Sequence, residues 1–211
     1  MHPEFIPTDP RAKQKFEKSE VCDNCFRPKE SCFCNKITPY NNRLKVVILQ
    51  HPQEKTKVLN SARLIHLMLK NSSIFVGLSW ANFKKVAGPE EIPSQWGVLY
   101  LKPDQKEIVT PLSITSPKKL PVNDFSFLKG IVAIDGTWKQ SKTLWWRNAW
   151  MLKLNRISLN PDHLSLRPQV KAEGLSTIEA VAFALEHLCE KPEIPVSLRE
   201  KYKQLIISNG V

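Results

Sequence analysis

The sequence predicts an α/β fold, a mostly parallel sheet with helices on both faces. Three observations carry it. Short β-branched runs recur along the chain, amphipathic helical patterns separate several of them, and 42% hydrophobic residues over 211 positions supply a core for one sizeable domain. No internal repeat or low-complexity tract interrupts the pattern.

The elements follow in order. Residues 1–20 are polar, proline-bearing and aperiodic, and read as a flexible arm. Residues 21–40 hold a compact four-cysteine knuckle, and 41–211 form the main domain. Leu44 to Leu49 is the first buried strand. From Lys57, the residues Val58, Ala62, Ile65 and Leu69 recur at helical spacing. Ile74 to Leu78 and Trp96 to Leu101 read as the second and third strands, and Pro111, Pro117 and Pro121 then mark a loop. Gly130 to Ile134 is the fourth strand, a helix runs from about Lys139 to Ala149, and Leu154 to Leu159 is the fifth strand, closed by Pro161. Ser176-Thr177-Ile178-Glu179 has the form of a capping box, and Ser197-Leu198-Arg199-Glu200 repeats it to open a last helix. Cys189, inside a helical pattern, reads as a small core hydrophobe.

Net charge is +11 and the pI is about 9.5, a balance that favours polyanionic partners. The longest apolar runs, Val46 to Leu49 and Ala180 to Leu185, are too short to span a bilayer. Glu4, Asp9, Arg11, Lys13 and Lys15 leave no apolar stretch for a secretory signal. Four of the five cysteines crowd into residues 22–34, as expected of a reduced, cytoplasmic setting where thiolates bind metal. Cys22, Cys25, Cys32 and Cys34 suit one tetrahedral Zn2+ with no open position, hence a structural site; iron suits the same ligands.

Asp135-Gly136-Thr137-Trp138 is the most informative motif. It lies where a buried parallel strand ends, the edge at which α/β folds collect ligands. The acid there either caps the following helix or does chemistry. Lys139, Lys142, Trp145, Trp146 and Arg147 follow it, mixing cations with aromatic faces as a grip on single-stranded nucleic acid requires. The stretch from Lys171 through Gly174, Leu175, Ser176 and Thr177 brings a helix N-terminus suited to a carboxylate or phosphate, or an ordinary cap. His51-Pro52 after the first strand is a further candidate.

Taken together, the knuckle, His51-Pro52, Asn60-Ser61-x-Arg63-Leu64, Asp135-Gly136-Thr137-Trp138 and Leu175-Ser176-Thr177-x-Glu179-Ala180 resemble the DTW-domain proteins, from about Val21 to Leu188. The resemblance implies a tRNA-uridine aminocarboxypropyltransferase, making residues 41–211 a DTW catalytic domain that uses S-adenosylmethionine to modify N3 of a tRNA uridine. It also implies a SPOUT-like fold with a knotted C-terminal region. Asp135 is then the candidate base, its pKa raised by burial near Trp138, or a positioning group. Leu101, Pro103, Asp135, Gly136, Thr137, Trp138, Leu175, Ser176 and Thr177 are the expected cofactor contacts, although Lys102 and Asp104 depart from the family's pattern around Pro103. Arg63, Lys139, Lys142, Trp145, Arg147 and Lys171 are the expected RNA contacts. The competing readings are a SPOUT-class RNA methyltransferase and a non-catalytic zinc-knuckle RNA-binding module. Oligomeric state is left open.

Overall fold

The structure is a computed structural model that describes residues 21–57, 59–100, 110–162, 165–166 and 174–209. Seven strands form one sheet: β1 (Lys45–Gln50), β2 (Ser72–Val76), β3 (Trp96–Tyr100), β4 (Leu112–Thr115), β5 (Pro121–Val122), β6 (Gly130–Asp135) and β7 (Asn155–Leu159). Their spatial order is β2-β1-β6-β3-β7-β4-β5. The first five in that order run parallel, and β4 pairs antiparallel with both β7 and β5. The helices are α1 (Ser61–Met68), α2 (Lys84–Ala87), α3 (Trp138–Arg147), α4 (Thr177–His187) and α5 (Glu193–Ile207).

Alternation along β1 explains why both faces are covered. Val46 and Ile48 face a core made with α1, α4 and α5, where Ile65, Val181, Leu185, Leu198 and Tyr202 are fully buried. Val47 and Leu49 face a second core with Phe83 and Val86 near α2, and with Trp150 and Met151 from the 3-10 turn Ala149–Lys153. Trp96 lies across the second core, its Nε1 donating to Glu91 at 2.9 Å. Gly130 leaves room for it, since a Cβ there would stand 2.6 Å from the indole and 2.7 Å from the Lys45 carbonyl oxygen.

Several boundaries differ from expectation. Helix α1 begins at Ser61, after an Asn60 cap, and β2 begins two residues earlier than the apolar run suggests. The proline-marked loop contains the antiparallel pair β4–β5. Helix α5 starts at Glu193, so Ser197 is an interior residue whose hydroxyl shares a 2.7 Å hydrogen bond with Tyr40. Cys189 is exposed, not a core residue. It follows the Leu188 C-cap of α4 with φ 58°, and the Glu190 amide donates back to the Leu185 carbonyl at 3.1 Å, a Schellman ending that turns the thiol outward. The arm, residues 1–20, lies outside the described residues. Among the described residues no helix is long and apolar enough to cross a membrane.

Candidate active site

The parallel register puts the last residues of β1 and β6 side by side, Gln50 opposite Asp135. Asp135 is 7% exposed, and both carboxylate oxygens are engaged. Thr177 Oγ1, at the start of α4, donates to Oδ1 at 2.5 Å, and Gln50 Nε2 donates to Oδ2 at 2.8 Å. Gln50 Nε2 also donates to Asn60 Oδ1 at 3.0 Å, and that same oxygen caps α1 by accepting from the Arg63 amide at 2.9 Å. A polar line therefore crosses the carboxyl ends of the central strands and joins the N-termini of α1 and α4. Burial pushes the Asp135 carboxyl above its ordinary range, while the Thr177 and Gln50 hydrogen bonds pull it down. Both neighbours donate, so the geometry is that of the carboxylate anion.

Asp135 does not cap α3. That role belongs to Thr137, in a capping box with Gln140: the Thr137 amide donates to Gln140 Oε1 at 2.6 Å, and the Gln140 amide to Thr137 Oγ1 at 3.4 Å. Gly136 is held closely against this turn, since a Cβ would stand 3.0 Å from Gln140 Cβ. The backbone around His51 shares the edge, its amide donating to the Asp135 carbonyl at 2.9 Å, but its ring accepts from the Gln53 amide at 3.3 Å in a local cap.

At the head of α4, Ser176 is the cap and Glu179 its partner, as the pattern predicts. Glu179 is 2% exposed and also accepts from Ser165 Oγ at 2.6 Å and the Leu166 amide at 2.7 Å, so it ties these two residues to the helix. Leu175 is buried in the first core. The Ser176 amide is taken by Glu179 at 3.0 Å; among the described residues the Thr177 and Ile178 amides meet no acceptor. Leu101, Pro103 and Lys171 lie outside the described residues. Gln50, a polar residue closing a run of buried apolar ones, and Asn60, quoted in the sequence only as part of a motif at the entry to α1, complete the site.

The cysteine knuckle is a second centre. The ligand atoms of Cys22, Cys25, Cys32 and Cys34 all lie within 4.8 Å of one another, with Cys22–Cys34 and Cys25–Cys32 sulfur separations of 3.9 and 3.7 Å. A tetrahedron with metal–sulfur bonds of about 2.3 Å has edges of about 3.8 Å, so the four thiols stand at the spacing of a metal site. The Cys25 backbone amide pulls the Cys22 thiol down to about 6, whereas burial raises Cys25 and Cys34. Arg27, buried beside the cluster, donates to Asn209 at 3.1 Å and lies over Phe33. Arg63 donates to the Asn24 and Asp23 carbonyls and stacks 4.4 Å from the Phe26 ring centroid, so its guanidinium ties the knuckle to α1.

Along α3, Lys139, Lys142 and Arg147 are exposed. Trp145 is half-buried against the second core with the Arg156 guanidinium 5.8 Å from its ring, and Trp138 is half-buried too.

A family model described as the DTW domain matches residues 19–208, a span that takes in the knuckle, the Asp135 turn and the whole sheet. The chain belongs to the DTW domain family. It is 28% identical over 184 residues to tRNA-uridine aminocarboxypropyltransferase 2 of Drosophila melanogaster, covering 84% of this chain and 70% of that protein. It is 28% identical over 190 residues to the protein of the same name from Macaca fascicularis, covering 87% of this chain and 59% of the relative. The Mus musculus protein of that name is 25% identical over 179 residues, 82% of this chain and 57% of the relative. The chain thus spans less than two thirds of the length of these two mammalian relatives. No solved structure matches it. In this DTW domain the Asp and the Thr-Trp of Asp135-Gly136-Thr137-Trp138 divide their work: the acid faces the polar line and the threonine starts α3.

Proposed function

We propose that this chain transfers the 3-amino-3-carboxypropyl group of S-adenosylmethionine to N3 of a tRNA uridine. The observation that carries the reading is a buried carboxylate at the end of β6, held by Thr177 and Gln50 in a chain that belongs to the DTW domain family. Relatives named tRNA-uridine aminocarboxypropyltransferase supply the reaction class. When bound, S-adenosylmethionine supplies a sulfonium whose γ-carbon is attacked by N3 in line with its bond to sulfur, the electron pair of that bond leaving with sulfur. Uridine N3 carries a proton and needs a base to lose it.

Asp135 is that base, acting through Thr177. The Thr177 hydroxyl oxygen accepts the N3 proton while its own proton passes to Asp135 Oδ1, along a hydrogen bond already formed. The raised carboxyl pKa makes Asp135 a better acceptor than an exposed aspartate. Gln50 keeps the second oxygen from turning away. The donor set at α4 fits an α-carboxylate: the Thr177 and Ile178 amides point along the helix N-terminus, where the macrodipole favours an anion. Gly136 and Trp138, with Leu101 and Pro103 from outside the described residues, are the further cofactor contacts in this reading. The uridine has to be unpaired and splayed out for N3, on its Watson-Crick edge, to be reached.

The four thiolates hold one Zn2+, fully coordinated by protein and therefore structural. Its net negative charge is offset by Arg27 and Arg63. Lys139, Lys142, Arg147 and Lys171 bind phosphates, and half-buried Arg63 joins them beside its role in holding the knuckle. A SPOUT-like arrangement with a knotted C-terminal region, and a reduced cytoplasmic setting, belong to the same proposal.

The test uses tRNA incubated with the protein and S-adenosylmethionine labelled separately in its methyl and aminocarboxypropyl groups, followed by mass analysis of nucleosides. Label from the aminocarboxypropyl group on uridine is expected. Label from the methyl group alone would overturn the proposal in favour of methyl transfer, and no label with retained tRNA binding would leave a binding module.

A further inference from the structure

We propose that the outward face of α3 is a stacking platform for a second unpaired nucleotide of the RNA, with Trp146 as the platform and Lys139, Lys142 and Arg147 as its phosphate clamp. The inference rests on the RNA reading above and adds a second contact point to it. Two adjacent tryptophans start α3's last turn, and sequence spacing cannot say which faces outward. The structure assigns them opposite roles. Trp145 packs inward on the second core and against Arg156, whereas Trp146 is 80% exposed, the most exposed large apolar side chain among the described residues.

Lys139, Lys142, Thr143 and Trp146 follow the i, i+3, i+4, i+7 spacing of one helix face, and Arg147 is the next residue. The Thr143 hydroxyl is satisfied by the Lys139 carbonyl at 3.1 Å. The three cations and Trp146 make no side-chain hydrogen bond, ion pair or ring contact among the described residues. Helix α3 contains no acidic residue, so nothing on it neutralises the cations. An exposed indole framed only by unpaired positive charge suits a partner that brings both a flat ring and negative charge. An unpaired nucleotide brings both, and any base stacks because every base has a π-face. A protein partner matching the face would need an acidic rim around an apolar socket, and an RNA duplex offers phosphates but no free base face.

Placement strengthens the argument. Trp146 lies eight residues beyond Trp138, about 12 Å along the helix axis at 1.5 Å per residue. A strand whose uridine enters beside Asp135 would therefore lay a neighbouring nucleotide on Trp146. The preferred substrate is a loop with at least two unpaired nucleotides, not a helix with one flipped base.

Full-length wild type, Trp146→Ala, Trp146→Phe and Lys142→Glu are compared by fluorescence anisotropy. The probes are a labelled single-stranded oligoribonucleotide and a blunt RNA duplex of equal length, each over a salt series. Trp146→Ala is expected to bind the single strand about tenfold more weakly, with duplex affinity and salt slope unchanged. Trp146→Phe is expected to keep most of the affinity. Lys142→Glu is expected to weaken both probes and lower the salt slope by about one phosphate contact. Three results would overturn the proposal: wild-type single-strand affinity for Trp146→Ala, an equal loss on duplex, or loss of self-association in ultracentrifugation with RNA affinity intact. Wild-type transfer to tRNA is measured alongside. Absent transfer with these binding results sinks the enzymatic reading alone, and normal transfer with unchanged Trp146→Ala binding sinks the platform alone.

Discussion

Thr177→Val removes one hydroxyl from a buried carboxylate and keeps the shape of the side chain, so it isolates the bond to Asp135 Oδ1. That bond is 2.5 Å long and ends on an oxygen that has no other donor among the described residues. A hydrogen bond to a charged group is worth about 1.5–3 kcal/mol; because Thr177 is part-exposed and water can replace some of it, a loss of about 2 kcal/mol follows. For a domain of this size that corresponds to a melting temperature lower by about 4–8 °C. The sign with pH is fixed by the same contact. Thr177 holds the Asp135 carboxyl down against burial, so its removal raises the folded pKa further. A raised carboxyl pKa costs stability above that pKa and costs nothing below the unfolded value, so the deficit of Thr177→Val shrinks as the pH falls toward 3.8. Only the weaker bond to a neutral carboxyl, about 1 kcal/mol, is then missing. Urea melts of wild type, Thr177→Val and Thr177→Ser at neutral and acidic pH measure it, with Thr177→Ser restoring both stability and transfer rate. An equal deficit at both pH values, or no recovery with serine, refutes the reasoning.

Asp135→Asn is expected to abolish transfer and yet melt higher than wild type at neutral pH, because burial makes the charged acid costly; the advantage closes as the pH falls toward 3.8, and wild-type turnover would remove Asp135 from the chemistry. Cys25→Ser is expected to release the knuckle metal and lower stability, by about 4 kcal/mol where free metal exceeds its Kd a thousandfold; elemental analysis with calorimetry checks this, and an unchanged melting curve without bound metal contradicts it. Cys189→Gly is expected to stabilise the chain by up to about 1 kcal/mol, because φ 58° at the end of α4 is left-handed backbone that glycine adopts freely; a lower denaturation midpoint would show that the Schellman turn is not strained.

The parts of the fold that could be read in the sequence are those in which one local signal decides. Short apolar runs gave β1, β2, β3 and β6, imperfect alternation gave β7, and Ser176 with Glu179 gave the start of α4 because both halves of the capping box are present. The hairpin β4–β5 was hidden because its strands are four and two residues long, with Pro111 and Pro117 beside them and Pro121 inside β5. Helix α5 was placed late because Ser197-Leu198-Arg199-Glu200 has the form of a capping box; the helix starts at Glu193, and Pro195, its third residue, is tolerated in the turn whose amides need no intrahelical partner. In the site, Asp135 and Thr177 were legible as the end of a strand and the start of a helix. That they touch was not, since 42 residues separate them and only the sheet order brings β6 beside α4. Gln50 carries no signature of its own; its role appears only once β1 and β6 are paired in register.

The same connectivity orders what fails when the knuckle loses its metal. Arg63 couples the knuckle to α1 through contacts with the Asn24 and Asp23 carbonyls near solvent, where water replaces a lost partner at little cost. Three residues earlier, Asn60 holds the other side of that first turn. Its side chain accepts from Gln50 in the interior and donates to the Lys55 carbonyl at 2.9 Å, and neither contact involves the knuckle. Releasing the metal therefore removes the outer support of α1 while the inner one persists. Stability falls first, and the alignment of Gln50 with Asp135 is lost only when β1 itself separates from β6, because six paired residues, not the cysteines, fix that register.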